Sequence, residues 1–175
     1  VFWNHFQQLS DEALLDYYHS TRNIRAFRLL YARHKDSLYR YCSQMNLAAA
    51  GGVLEELWRN ILERPPQLYG RLLRSWLFIH VNKLLHNATE QNQDTAAEAP
   101  LPGSKLLSAL QNLPRIERNI LLLHMECRLP LATIADIERI SLKKCREHYR
   151  NGGERLETLL NGSRRQPWRT KEVAV

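Results

Sequence analysis

Apolar residues recur along this chain at steps of three and four, and the polar runs between them carry residues that start and stop helices. Ser10-Asp11-Glu12 stands ahead of Leu14 and Leu15. A side-chain acceptor for free amides, followed by two carboxylates that oppose the helix dipole, predicts a helix start there. Asn23 can cap a second, longer helix in which Phe27, Leu30, Tyr31, His34, Leu38, Tyr41, Cys42 and Met45 form one stripe, while Arg25, Arg28, Arg33, Lys35 and Arg40 largely take the other faces. The run Ala48-Ala49-Ala50-Gly51-Gly52 is expected to interrupt the pattern. After it, Leu54, Leu57, Trp58, Ile61 and Leu62 predict a third helix that Pro65-Pro66 ends. A fourth is expected over about residues 69–87, with Leu73, Trp76, Leu77, His80, Val81 and Leu84 on one side. No segment alternates with a period of two for long enough to predict a sheet.

Residues 88–103 read ATEQNQDTAAEAPLPG, without aromatics and with two prolines, which is the composition of a flexible tether. Helical patterning resumes at Leu106, Leu107 and Leu110, stops at Leu113-Pro114, and restarts with Ile116, Ile120, Leu121, Leu123 and His124. Pro130 then suits the first turn of a short helix carrying Leu131, Ile134, Ala135 and Ile137. Ser141 caps another, carrying Leu142, Cys145, Tyr149 and Leu156, with a tight turn at Glu138-Arg139-Ile140 between the two. Small Ala135 permits a close crossing while Ile134, Ile140 and Cys145 fill the wedge, which is the packing of a helix-turn-helix. Gly152-Gly153 weakens the second helix and is expected to mark a bend or an early end.

The expected architecture is therefore all-α, with two small helical domains joined by a flexible linker: an N-terminal domain over residues 1–87, the linker over 88–103, a helix-turn-helix domain over 104–162 and a basic tail over 163–175. On the second helix of the motif, Lys143, Lys144, Arg146, Glu147, Arg150 and Asn151 are the exposed positions, with Ser141 at its start. Arg146, Glu147, Arg150 and Asn151 have the chemistry to read base edges in a major groove. Lys143, Lys144 and the tail residues Arg164, Arg165, Arg169 and Lys171 suit phosphates.

Charge agrees with this division. The net charge of +7 divides into +4 over residues 1–87, −3 over 88–103 and +6 over 104–175, so both ends suit a polyanion and the middle does not. With 44% apolar residues the chain can build a real core. It has no apolar run of membrane-spanning length, and its first residues lack the basic head and apolar body of a signal peptide, so a cytoplasmic location is expected. Cys42, Cys127 and Cys145 are odd in number and far apart, and read as reduced packing residues. His124 with Cys127, and Cys145 with His148, have pair spacings that zinc could use, but Cys145 belongs in the core of the motif; no metal or cofactor is expected. Gly-rich phosphate loops, paired carboxylates and flanked nucleophiles are all lacking, which points away from an enzyme.

Several blocks resemble the extracytoplasmic-function sigma factors of bacterial RNA polymerase, and the likeness spans nearly the whole chain. Leu110-Gln111-Asn112-Leu113-Pro114-Arg115-Ile116-Glu117-Arg118 is similar to that family's "aLxxLPxxxR", Thr133-Ile134-Ala135 to "EIA", and Ser141-Leu142-Lys143-Lys144-Cys145 to "SxxTV". Nearer the N-terminus, Asn23-Ile24-Arg25-Ala26-Phe27 resembles "DxxAF", Leu30-Tyr31 the following "LY", and Trp76-Leu77-Phe78 the "WLf" of the last helix. The resemblance implies that the first domain binds core RNA polymerase and melts the minus-ten promoter element while the second binds the minus-thirty-five element. It also implies an anti-sigma factor as a partner.

By this resemblance Glu55, Glu56 and Trp58 fall at the polymerase clamp. Tyr69, Phe78 and Lys83 are the candidates for promoter melting, Tyr69 and Phe78 because they lie off the apolar stripes and could stack on an unpaired base. Trp58 and Trp76 lie on apolar stripes and are also expected in the core. Two segments depart from the pattern. Gly51-Gly52 replaces an acidic pair in the clamp segment, and His80-Val81-Asn82-Lys83, with Asn87 and Ala88-Thr89, replaces "IArNxxxDxxR". The alternative reading is a degenerate sigma-like DNA-binding regulator, or an anti-sigma decoy, that no longer binds core polymerase.

Overall fold

The helix starts read from Ser10, Asn23 and Ser141 are all formed in the computed structural model, which describes residues 3–91 and 105–161. Ser10 Oγ accepts from Ala13 N at 3.1 Å, Asn23 Oδ1 from Arg25 N at 3.0 Å, and Ser141 Oγ from Lys144 N at 3.2 Å, so each satisfies an amide that has no partner within its helix. The described residues form nine α-helices and no strand: α1 Trp3–Gln8, α2 Asp11–Thr21, α3 Ile24–Met45, α4 Leu47–Glu63, α5 Leu73–Gln91, α6 Lys105–Gln111, α7 Arg115–Leu121, α8 Leu131–Glu138 and α9 Leu142–Asn161. None of them is long and apolar enough to cross a membrane.

α3 is the axis of the first five helices. Its Leu30, Leu38, Tyr41 and Cys42 are fully buried, and α2, α4 and α5 pack around them with Leu14, Leu57, Ile61, Leu73, Leu77 and Val81. Arg33 of α3 fastens α1 and α2 to this axis. Its guanidinium donates to Leu9 O at 2.8 Å, to Gln7 O at 2.9 Å and to Asp11 Oδ1 at 3.0 Å. His34 Nε2 lies 2.7 Å from Asp11 Oδ2, and this hydrogen bond, with the Arg33 cation beside it, holds the Asp11 carboxyl below its ordinary value.

Four expectations are corrected here. Gly51 and Gly52 do not interrupt anything: α4 starts at Leu47 and runs through both, because burial of Ala50, Val53, Leu57, Trp58 and Ile61 on one face outweighs about 1 kcal/mol of propensity lost at each glycine. α5 begins at Leu73 rather than near Tyr69, and its cap is tertiary, since Glu12 Oε1 of α2 accepts from Leu73 N at 2.8 Å. α5 also continues to Gln91, taking residues 88–91 from the expected tether; Ala88, Glu90 and Gln91 are strong helix formers, and Thr89 Oγ1 donates back to Leu85 O at 2.9 Å. The rest of the tether and the basic tail with Arg164, Arg165, Arg169 and Lys171 lie outside the described residues. Gly152-Gly153 does not end the last helix, and α9 passes through both to Asn161.

Among α6–α9, Ile120, Leu121, Leu123, Cys127, Leu129, Ile134 and Cys145 are buried together. After α7 the chain widens into one π-helical turn, Leu122–Glu126, closed by Cys127 N donating to Leu122 O at 3.1 Å. His124 Nδ1 donates to Leu129 O at 2.9 Å and so holds the loop that turns back into α8. The two sets of helices touch. Tyr41 of α3 donates to Asn119 of α7, both Nε and Nη2 of Arg74 donate to Cys127 O, the former at 2.7 Å, and Gln111 Nε2 donates to Gln44 O at 2.8 Å.

Candidate nucleic-acid interface

α8 and α9 are joined by a turn in which Arg139 takes a left-handed conformation at φ 55° and Ile140 N donates to Ala135 O at 3.0 Å. This stops α8 and sends the chain off at an angle. Ile134 and Ala135 of α8 meet Cys145 of α9 with almost no exposure, and Ile140 is half-buried beside them. Burial raises the Cys145 thiol, and its Sγ lies 3.5 Å from Leu131 O, so it is a neutral packing group.

Ser141, Lys143, Lys144, Arg146, Glu147, Arg150 and Asn151 are all exposed, as expected. At about 100° per residue the six on α9 fall within an arc of about 160°, opposite Cys145, Gly152 and Leu156, which are buried. None of the six takes part in an ion pair among the described residues. α9 thus offers one polar, net cationic face over its N-terminal half, with the chemistry to meet a polyanion.

The promoter-melting candidates separate. Tyr69 is 84% exposed in the turn before α5, where it and Gly70 have φ of 51° and 77° and Arg71 N donates back to Leu68 O at 3.0 Å. Successive positive φ values make a tight turn that costs a tyrosine backbone strain and carries its ring into solvent. Lys83 is exposed on α5. Phe78 is not: at 1% exposure it lies edge-on to Tyr41, ring centroids 5.7 Å apart, with the Arg74 guanidinium 6.0 Å over its ring. Its place off the stripe of α5 reflects a second buried face of that helix, and it offers no free surface for a base.

In the segment of α4 expected at the polymerase clamp, Glu55 and Glu56 are exposed, with Glu55 Oε1 accepting from Arg59 Nη2 at 2.7 Å. Trp58 is mostly core, only 9% exposed, packed edge-on against Phe27 and Tyr31 at 5.9 and 5.0 Å. It forms the floor of a surface groove of about 350 Å³ whose walls include Tyr31, Tyr39, Leu54 and Glu55. Tyr39, 53% exposed, and Tyr31, 41% exposed, were not among the residues expected here. Tyr31 was hidden by its place on the apolar stripe, although an aromatic at a stripe's edge between Arg28 and Lys35 was a usable signal.

The cysteines and histidines of the two zinc-like pairs do not assemble into a ligand set: among the described residues no group of three or more His, Cys, Asp or Glu could hold a metal. Cys42, Cys127 and Cys145 are free and buried, and burial pushes the Cys42 thiol up to about 12.

No protein-family model matches the sequence. No curated protein matches it either. Its fold, however, is found among solved structures. The chain is similar to CnrH in complex with the cytosolic domain of CnrY, with a TM-score of 0.62 at 19% identity, over 87% of this chain and 98% of that one. It is also similar to the sigma factor RpoE in complex with the anti-sigma factor NepR from Bartonella quintana, with a TM-score of 0.61 at 16% identity, over 79% of this chain and 98% of that one. The helices described above therefore adopt, over most of the chain, the all-helical fold of these two proteins.

Proposed function

We propose that the protein is an alternative sigma factor of the extracytoplasmic-function type, a non-enzymatic cytoplasmic protein that carries core RNA polymerase to particular promoters. The observation that carries this reading is the exposed face of α9, with Lys143, Lys144, Arg146, Glu147, Arg150 and Asn151 on one arc of a helix-turn-helix. It stands in a chain that shares its fold with a sigma factor over 79% of its length. In this reading Arg146, Glu147, Arg150 and Asn151 read the minus-thirty-five element, and Ser141, Lys143 and Lys144 set the register on phosphates. Tyr69 and Lys83 engage the melted minus-ten element. Glu55 and Glu56 border the polymerase clamp with Tyr31 and Tyr39. The anti-sigma factor bound to the similar RpoE supports a partner of that kind here.

Selection from a random duplex pool tests this reading. Wild-type protein should enrich one sequence, and Arg146→Ala should bind it about 1–3 kcal/mol more weakly while relaxing the preference at one position. Lys143→Ala should weaken binding to all sequences and reduce the slope of log affinity on log salt by about one. A pool that emerges unenriched would remove the reading.

A second reading rests on Gly51 and Gly52. Both are exposed on α4, on the side where the clamp contact would form, with nothing within 4 Å of where a side chain would begin. A face that keeps Glu55 and Glu56 but has glycines where the family carries an acidic pair fits a sigma-like regulator or anti-sigma decoy that no longer engages core polymerase.

A further inference from the structure

A cleft of about 620 Å³ opens between α5 and α8, within the range of about 300–1,000 Å³ that holds small ligands. Its wall on α5 is cationic. Lys83 and His86 stand three residues apart on one face of that helix, and Arg115 Nη2 donates to His86 Nε2 at 3.1 Å. Nε2 is therefore the acceptor of the neutral ring, Nδ1 carries its proton and is left to donate, and the Arg115 cation stands behind it. Arg71 and Arg139 line the cleft too, which leaves it net cationic.

Across from Lys83 the cleft turns acidic. Asp136 and Glu138 lie in the last turn of α8, where the helix dipole disfavours carboxylates. Glu138 Oε1 accepts from the Asn119 amide, whereas Asp136 is exposed, and among the described residues neither acid forms an ion pair, nor does Lys83. Charges of both signs thus line one cleft without meeting each other. Ile79 of α5 and Ile137 of α8, both half-buried, add an apolar stretch to it.

Few ligands suit all three surfaces. A bare phosphate leaves the carboxylates without a partner, a polyamine leaves the cations without one, and an apolar molecule desolvates both. A flat ring with an N–H edge on one side and an anionic group on the other satisfies them together, and that is the chemistry of a nucleotide. Among the common bases guanine turns two adjacent donors, its ring N–H and its exocyclic amino group, toward a single carboxylate, which accepts them as a bidentate pair.

We propose that the cleft between α5 and α8 binds a free guanine nucleotide, with the base between Ile79 and Ile137, its N–H edge on Asp136, and its phosphates on Lys83 and His86. The site stands on its own residues. Its consequence, that an occupied cleft keeps a single strand of DNA off Lys83, rests on the sigma-factor reading.

Calorimetric titration of the full chain with GDP, beside ADP and inorganic pyrophosphate, tests the site. The wild type is expected to bind GDP about tenfold more tightly than either, the worth of one further charge-assisted hydrogen bond. Asp136→Asn should remove that preference and leave pyrophosphate bound no less well, and Lys83→Ala should weaken all three about tenfold. Both side chains are exposed, so circular dichroism should find the fold unchanged. A folded wild type that binds no GDP overturns the site. Equal binding of GDP, ADP and pyrophosphate that Asp136→Asn does not alter overturns it as well, since a cationic surface alone gives that result. An oligothymidine strand added to the GDP complex separates free nucleotide from strand. Displacement of GDP is expected; a chain that takes up the strand but never GDP overturns the site, and strand and GDP bound together overturn the competition. GDP binding of the expected pattern in a protein that captures no core polymerase keeps the nucleotide site and removes the sigma-factor reading instead.

Discussion

Gly152 of α9 crosses Glu117 of α7 so closely that a β-carbon on the glycine would stand 3.1 Å from Glu117 Cβ and 3.2 Å from Leu121 Cδ1. Glu117 is 4% exposed, and its Oε2 lies 3.4 Å from Nη1 of Arg155, which stands on α9 one turn beyond Gly152. The glycine is the place where α9 presses onto α7. Gly153, beside it, has nothing within 4 Å of its β-position. Gly153→Ala should therefore stabilise the protein by about 0.5–1 kcal/mol through helix propensity alone, and Gly152→Ala should lower stability despite the same gain. Urea midpoints of the two variants check this, and equal shifts of the same sign would contradict the crossing.

The role proposed for Tyr69, stacking on an unpaired base, sets stability against function. Its left-handed φ of 51° is unfavourable for a tyrosine, and its ring, 84% exposed, gives little packing in return. Tyr69→Gly should raise the thermal midpoint, by about 1 kcal/mol of relieved strain, and weaken the binding of single-stranded DNA. Loss of stability would show that the ring packs against the domain instead of waiting for a base.

Stability should fall as the solution is acidified below about pH 6.5. Burial lowers the pKa of His80, which stacks on Trp76 at 4.7 Å, with the nearby Lys83 cation adding to the effect, and burial likewise lowers that of His19. Below the ordinary imidazole value of 6.5 the unfolded chain binds protons that the folded chain refuses, so the folded state is fully favoured above that value and loses ground as pH falls through the depressed values. Asp11, held below its ordinary 3.8, adds a second loss at lower pH when its carboxyl is protonated. Denaturant midpoints against pH should show both declines, and His80→Gln should flatten the first. A midpoint that rises on acidification toward about pH 5 would reverse the sign of this argument.

These positions also show which parts of the molecule could be read from sequence. Ser10, Asn23 and Ser141 were legible because a cap is a hydrogen bond across two or three residues. The cationic face of α9 was legible for a similar reason: helical spacing alone puts Arg146, Glu147 and Arg150 opposite Cys145. The start of α5 was not, since its cap comes from Glu12, 61 residues earlier. Gly51 and Gly52 looked like a break because propensity is local, whereas the burial that carries α4 through them is tertiary. Phe78 was misread for the same cause: what covers it is organised around Asn119 and Cys127, far along the chain and beyond the reach of any periodicity. Trp58 was legible as core from its place on the apolar stripe of α4, while the groove it lines with Tyr31 and Tyr39 brings together residues of two helices.

The central claim, that this chain is a sigma factor, is tested most directly by capture of bacterial core RNA polymerase on the immobilised full chain at moderate salt, beside a Glu55→Lys, Glu56→Lys variant. Both glutamates are exposed on α4, so the variant should keep its fold, which circular dichroism checks. The account predicts stoichiometric capture by the wild type and its loss in the variant. A folded wild-type chain that captures no polymerase would contradict it and leave the sigma-like regulator, in which Gly51 and Gly52 stand in place of an acidic pair.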